Sequence, residues 1–249
     1  MKTKIVIFSL LLELCFISSA NAQFYVKLGG GYGLSLANGL SYKDGSDVKY
    51  ASLGEGIYPS LGFGYMFNKN MAIELNGSYL IGRKFEATDT QGGLILVEKA
   101  WGEGKFISPA LVVMAPMKNM TPYARFGGVI GIPKVKDEIT ISGSWEAPTG
   151  TLKLEESGKM ALGVTGALGL MYKAGSKINI FAELYGTGMN YRPDTRKNTE
   201  TFSGFNLEPT ITYVETTPPG TNQEIAPSRP FSSWGLNVGF SYMFGKAPK

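Results

Sequence analysis

Eight period-two segments, a strict alternation of short and long connections, and an aromatic-tipped last strand predict an all-β chain. The architecture they specify is an eight-stranded antiparallel up-and-down transmembrane β-barrel. The last strand is the most informative. Within 232–244, Trp234, Leu236, Val238, Phe240, Tyr242 and Phe244 share one face, and Ser233, Gly235, Asn237, Gly239, Ser241 and Met243 share the other. Alternation of bulky apolar with small or polar residues marks a strand whose two faces meet different solvents. A continuous bulky face rimmed by aromatics suits lipid.

The N-terminus predicts export. Lys2 and Lys4 precede an apolar run over 5–17, and Ala20, Asn21 and Ala22 supply a small-residue cleavage site. The run is too short to span a bilayer as a helix and has the layout of a secretory signal peptide. Residues 1–22 are therefore read as the signal and 23–249 as the barrel domain. Cys15 lacks the small neighbours of a lipidation motif, because Glu13 and Leu14 precede it and Phe16 follows. Cleavage would remove this single cysteine, and with it any disulfide. Loss of Lys2, Lys4 and Glu13 lowers the net charge from +4 to +3, leaving 22 basic and 19 acidic residues interspersed. Nothing in that balance points to nucleic acid.

The segments follow in order. The first, 24–36, puts Phe24, Val26, Leu28, Tyr32 and Leu34 on one face and Tyr25, Lys27 and three glycines on the other. Then come 57–67, 71–81, 105–115, 121–132, 160–172, 178–187 and 231–244, each 10 to 14 residues long. A tilted membrane-crossing strand needs about 9–11 residues, whereas strands of soluble proteins cluster near ~5–6. The links 68–70, 116–120 and 173–177 are short; 37–56, 82–104, 133–159 and 188–230 are long. That alternation predicts short turns at the periplasmic end, with both termini, and long loops outside the cell. The segment 105–115 is the least regular, since residues 110–114 are apolar on both faces, and Pro59, Pro109 and Pro122 each remove a ladder donor.

The exported start, the strand beginning at Gln23-Phe24-Tyr25-Val26, the eight segments and the ending at Asn237, Gly239, Tyr242 and Phe244 together resemble the small OmpA-like outer-membrane β-barrel family. The likeness is to its stand-alone barrels, including Bacteroidetes-type ones. It implies a cell outer-membrane location, a monomer, contact with outer-membrane lipid and lipopolysaccharide, and delivery by the barrel-assembly machinery. The last four residues named resemble that family's C-terminal insertion signal. Only five residues follow Phe244, so the periplasmic wall-binding domain of OmpA itself has no counterpart in this sequence.

Four inward charges are candidates for the lumen. Lys27, Glu74, Arg125 and Glu183 come from the first, third, fifth and seventh segments, and spacing puts them in one layer about 8–15 Å above the base. Their alternating signs predict a salt-bridged plug, helped by Tyr25, Tyr123 and Tyr185. The alternative is a gate that rearranges to open a narrow pore. An eight-stranded barrel is only just wide enough for side chains to fill.

Enzymatic barrels of this class resemble one another in using histidine as a base, and this chain has no histidine. With Lys27 and Arg125 nearby, Glu74 and Glu183 stay ionised and unsuited as acids. No metal site or cofactor is expected, as Asp44 and Asp47 alone form a spaced acidic pair. The glycine run 29–33 lies within a strand and carries no phosphate loop.

In the loops, 138–147 and 151–155 read as the fifth and sixth strands continuing outward as a hairpin. Leu94-Ile95-Leu96-Val97 packs in an extended rim or meets a partner. A short strand is expected at 210–215, and Tyr191, Arg192 and Arg196 read as a solvated loop face, with ligands or lipopolysaccharide phosphates as the alternative. The functional expectation is a non-enzymatic structural or surface-interaction role toward an extracellular protein ligand. A narrow pore, a conduit for small molecules and a secretion accessory are the alternatives. A lipocalin-like soluble barrel would reverse the faces.

Overall fold

The computed structural model describes residues 23–36, 40–44, 47–91, 93–143, 149–200, 209–215 and 222–244. The expected signal, 1–22, and the residues after Phe244 lie outside them. The barrel strands are β1 (Gln23–Ser35), β2 (Gly56–Asn68), β3 (Met71–Gly82), β4 (Leu94–Met114), β5 (Met120–Ser142), β6 (Ala161–Lys173), β7 (Ile178–Tyr191) and β8 (Ser233–Phe244). Each pairs antiparallel with its sequence neighbour, and β1 pairs with β8, from Phe24 opposite Phe244 to Ser35 opposite Ser233. The ring is closed by eight strands, and no barrel strand presents an open edge within it. Six shorter strands join the same sheet, and a separate hairpin pairs Leu40–Asp44 with Asp47–Ala51.

Parity decides the two faces. Phe24, Leu28, Leu61, Phe63, Ile73, Leu75, Phe126, Leu162, Leu168, Leu236 and Phe240 all point outward and are 43–71 % exposed. A soluble protein rarely exposes so large a contiguous apolar surface. On β8 the outward run from Trp234 to Phe244 covers about 25 Å along the barrel axis, the height of an outer-membrane apolar band. Aromatics girdle its lower edge: the Phe24 and Tyr65 rings lie 4.9 Å apart, as do those of Tyr242 and Phe244. Tyr32, Tyr79 and Trp234 stand outward nearer the loops. The fold is an outer-membrane-type β-barrel.

β4 departs from the sequence expectation, while β5 continues outward as read from 138–147. β4 and β5 run to 21 and 23 residues, about twice a membrane crossing, and pair in one register from Met114 opposite Tyr123 to Ile95 opposite Ser142, interrupted at Ser108 and Pro109. Leu94-Ile95-Leu96-Val97 is thus the outer end of a strand. The extension carries Phe85–Gln91 on one side and Gly150–Ser157, Thr195–Glu200, Thr210–Val214 and Gln223–Ile225 on the other. Gly150–Ser157 does pair with β5 as a hairpin, but it is not a continuation of β6. Gly158, at φ +133°, breaks the chain between them.

Placing a charge on the lipid face separates a membrane barrel from a soluble one. Leu168→Lys should cost about 2–4 kcal/mol of folding free energy in bilayers, measured by reversible urea unfolding. A soluble barrel would lose almost nothing at this exposed position.

Candidate functional site: the filled lumen and its outer rim

Inward-pointing side chains fill the lumen in layers. The lowest is apolar: Met66, Ala72, Val112, Met114 and Met171 cluster with Tyr25, Tyr123 and Phe181, and Met243 packs against them. Methionine suits this position because its unbranched chain fills irregular gaps. The two tyrosine rings need bare backbone opposite. A Cβ on Gly64 would collide with the Tyr25 ring, and one on Gly169 with the Tyr123 ring.

Directly above lie the four charges. The structure brings Lys27, Glu74, Arg125 and Glu183 together, each 6 % exposed or less. Lys27 Nζ stands 3.4 Å from Glu74 and 3.5 Å from Glu183, and Arg125 reaches the same two carboxylates at 3.7 and 3.0 Å. Every cation thus faces both anions. Tyr25 donates its hydroxyl to Glu74 at 3.0 Å, Tyr123 donates to Glu183 at 2.8 Å, and Asn237 Nδ2 donates to Glu183 at 2.9 Å. The Lys27 ammonium also sits 4.4 Å over the Phe181 ring. Isolated, each buried ion would cost several kcal/mol; paired and hydrogen-bonded, the layer is neutral.

Tyr185 does not join this layer. It sits one rung higher, where its ring meets Tyr58 edge-on at 6.0 Å. The four C-terminal residues divide by parity. Asn237 and Gly239 face the lumen, where a Cβ on Gly239 would meet the Leu28 carbonyl, while Tyr242 and Phe244 face outward.

Above the ions is a polar chamber of about 50 Å³, lined by Ser60, Asn76, Ser78, Ser108, Thr165 and Thr187 among others. It has room for a few waters. An apolar lid closes it: Leu53, Leu80, Phe106, Val129, Val135, Ala161, Met189, Tyr191 and Phe231 form one buried cluster. Leu53 and Phe231 come from different loops. Their segments are tied by Leu53 N donating to the Pro230 carbonyl at 2.9 Å and by Ser52 Oγ donating to the Ser232 carbonyl at 2.8 Å. Phe231 N donates to the Met189 carbonyl at 3.0 Å, and the Tyr191 ring meets the Phe231 ring edge-on at 5.9 Å.

A latch stands beside the lid. Arg229 grips Glu156 through two hydrogen bonds of 2.7 and 2.6 Å, and Tyr213 donates to the same carboxylate at 2.7 Å. Glu156 is 1 % exposed. Burial and the nearby Glu156 and Glu98 carboxylates push Asp137 up to about 6, against the opposing pull of Arg229 and Arg196.

These contacts correct the solvated-face expectation for the last loop and leave Tyr191 and Arg196 engaged within the protein. Tyr191 is fully buried because it ends β7 with inward parity, and Arg196 is held by Glu224 through bonds of 2.9 and 2.7 Å. Of the three residues, only Arg192 stays exposed. Among the described residues, no group of three or more acidic, cysteine or histidine side chains converges as a metal site.

Removing one buried partner leaves an uncompensated ion, so Glu183→Ala should destabilise the barrel by about 3–5 kcal/mol in urea unfolding. At the rim the sign differs. Between about pH 4 and 6 the folded Asp137 holds a proton that the unfolded chain, near ~3.9, has released. Its contribution is therefore fullest below about pH 4 and lost as pH rises through 6. Amide exchange in the outer part of β5 should be slower at pH 5 than at pH 7 after correction for intrinsic rates, and Asp137→Asn should abolish the difference.

By sequence, the chain matches no family model and no curated protein. Its fold is similar to that of a major outer membrane protein from Thermus thermophilus, at 12 % identity over 90 % of this chain and 99 % of that one, with a TM-score of 0.46. Ail, the attachment invasion locus protein of Yersinia pestis, is similar at 12 % identity over 90 % and 98 %, with a TM-score of 0.39. Acinetobacter baumannii CarO2 gives 10 % identity over 88 % and 99 %, with a TM-score of 0.33. With TM-scores below 0.5, these likenesses decide neither family nor ligand.

Proposed function

We propose that the protein is a closed, non-enzymatic barrel of the cell outer membrane that presents its extended rim to an extracellular protein ligand. Its termini and short turns face the periplasm. The observation that carries this reading is the pairing of a filled lumen with an oversized outer sheet. Methionine floor, ion layer and Phe231–Leu53 lid block the axis three times. The β4–β5 ladder meanwhile rises about 30 Å along the strands beyond Lys105. Lys105 faces outward just above the apolar band, where lipopolysaccharide phosphates are natural counter-ions.

A gated pore is the second reading, and one detail favours it. Glu74 Oε1 and Arg125 Nε are buried without a hydrogen-bond partner, so the ion layer has bonding capacity for a second arrangement.

Planar-bilayer recording of the refolded chain separates the two. The closed-barrel reading expects no discrete openings from the wild type or from Arg125→Ala, while both keep heat-modifiable mobility on gels. Small wild-type openings that grow in the variant would establish the pore instead.

A further inference from the structure

The short-turn end of the barrel is chemically unlike the rest of the molecule. At the rim nearly every cation has a partner: Lys134 with Glu155, Lys136 with Glu103, Lys153 with Glu138, and Lys159 with Asp194 and Glu215. At the opposite end stand Lys69, Lys118, Lys173 and Lys177, all exposed, and none makes an ion pair among the described residues. The nearest carboxylates, Glu74 and Glu183, are buried in the lumen and already shared by Lys27 and Arg125.

These lysines surround a cup of about 270 Å³ floored by Met66, Met114, Met171 and Met243, with Met117 on its lip at 65 % exposure. Four ammonium groups about an apolar hollow repel one another and attract an anion. Methionine adds a surface that reshapes around an inserted group.

We propose that this cup is a docking site for an acidic segment of a periplasmic protein that inserts one apolar side chain among the methionines. Charge complementarity fixes the sign of the partner. Size argues for a single side chain, because drug-sized ligands occupy roughly 300–1,000 Å³. Direction argues against a bilayer phospholipid: the floor methionines point into the lumen, so the cup opens along the barrel axis and not toward the lipid annulus. The periplasmic source of the partner rests on the orientation proposed above; the cup's chemistry does not.

The test uses the refolded chain in zwitterionic nanodiscs and a fluorescent peptide with six carboxylate residues around one phenylalanine. Anisotropy should report saturable binding with a Kd on the order of 10 μM at low salt, weakening as salt rises. The combined Lys69→Gln, Lys118→Gln, Lys173→Gln and Lys177→Gln variant should bind about tenfold more weakly. Met117→Ser, at an exposed position outside the core, should lose about threefold. Absence of saturation to about 1 mM overturns the proposal, as does equal binding of a peptide without phenylalanine. Loss of binding when the nanodiscs contain phosphatidylglycerol would assign the ring to lipid and also overturn it. Both ends are accessible in nanodiscs, so the orientation is tested apart, by treating intact cells carrying Lys118→Cys with an impermeant maleimide. Labelling there would overturn the periplasmic placement while leaving the peptide result standing.

Discussion

The rest of the barrel is organised around one constraint: four opposite charges share a lumen too narrow to hydrate them. β1, β3, β5 and β7 each contribute one ion at the same height, so the layer couples every second strand across the axis. A slip of one residue in any of them would turn that ion toward lipid. For Lys27 or Arg125 that would cost about 2–4 kcal/mol near mid-membrane, and less for Glu74 or Glu183, besides stranding the partners. The glycines under Tyr25 and Tyr123 serve the same layer by letting two aromatic donors lie flat enough to reach the carboxylates.

The two ends close the lumen by different means. The floor is formed by residues of the strands themselves, chiefly methionines, and among the described residues no loop folds into it. The lid is made by two loops that enter the mouth and bury Leu53 and Phe231, held by backbone hydrogen bonds to each other and to β7. Arg229, two residues before Phe231, is anchored on Glu156. The outer closure therefore depends on charge pairs in the rim sheet, while the inner one depends on packing.

Period-two alternation carried most of the barrel. It assigns Lys27, Glu74, Arg125 and Glu183 to the lumen face and Leu28, Leu168 and Leu236 to the outside without reference to any tertiary contact. It failed where neighbours, not parity, decide. Leu53 and Phe231 lie in loops with no period to read, and Glu156 and Arg229 meet across 73 residues of sequence. Tyr191 resembles a loop aromatic until β7 is seen to extend through it. The outer half of β4 was hidden because charged and apolar residues mix along 94–104 and blur the alternation.

The long pairing of β4 and β5, which keeps one register on either side of Ser108 and Pro109, has a mechanical consequence. Hydrogen bonds between antiparallel strands run across the pull when a load acts along the strands, so the rows share it in shear and do not open one by one. From Ile95 opposite Ser142 to Ile107 opposite Ile130, a tug on the outer rim would be shared by consecutive rows before it reaches the membrane wall. The rim is in this sense a rigid mast stepped into the barrel, and whatever grips it pulls on the wall that also holds Arg125.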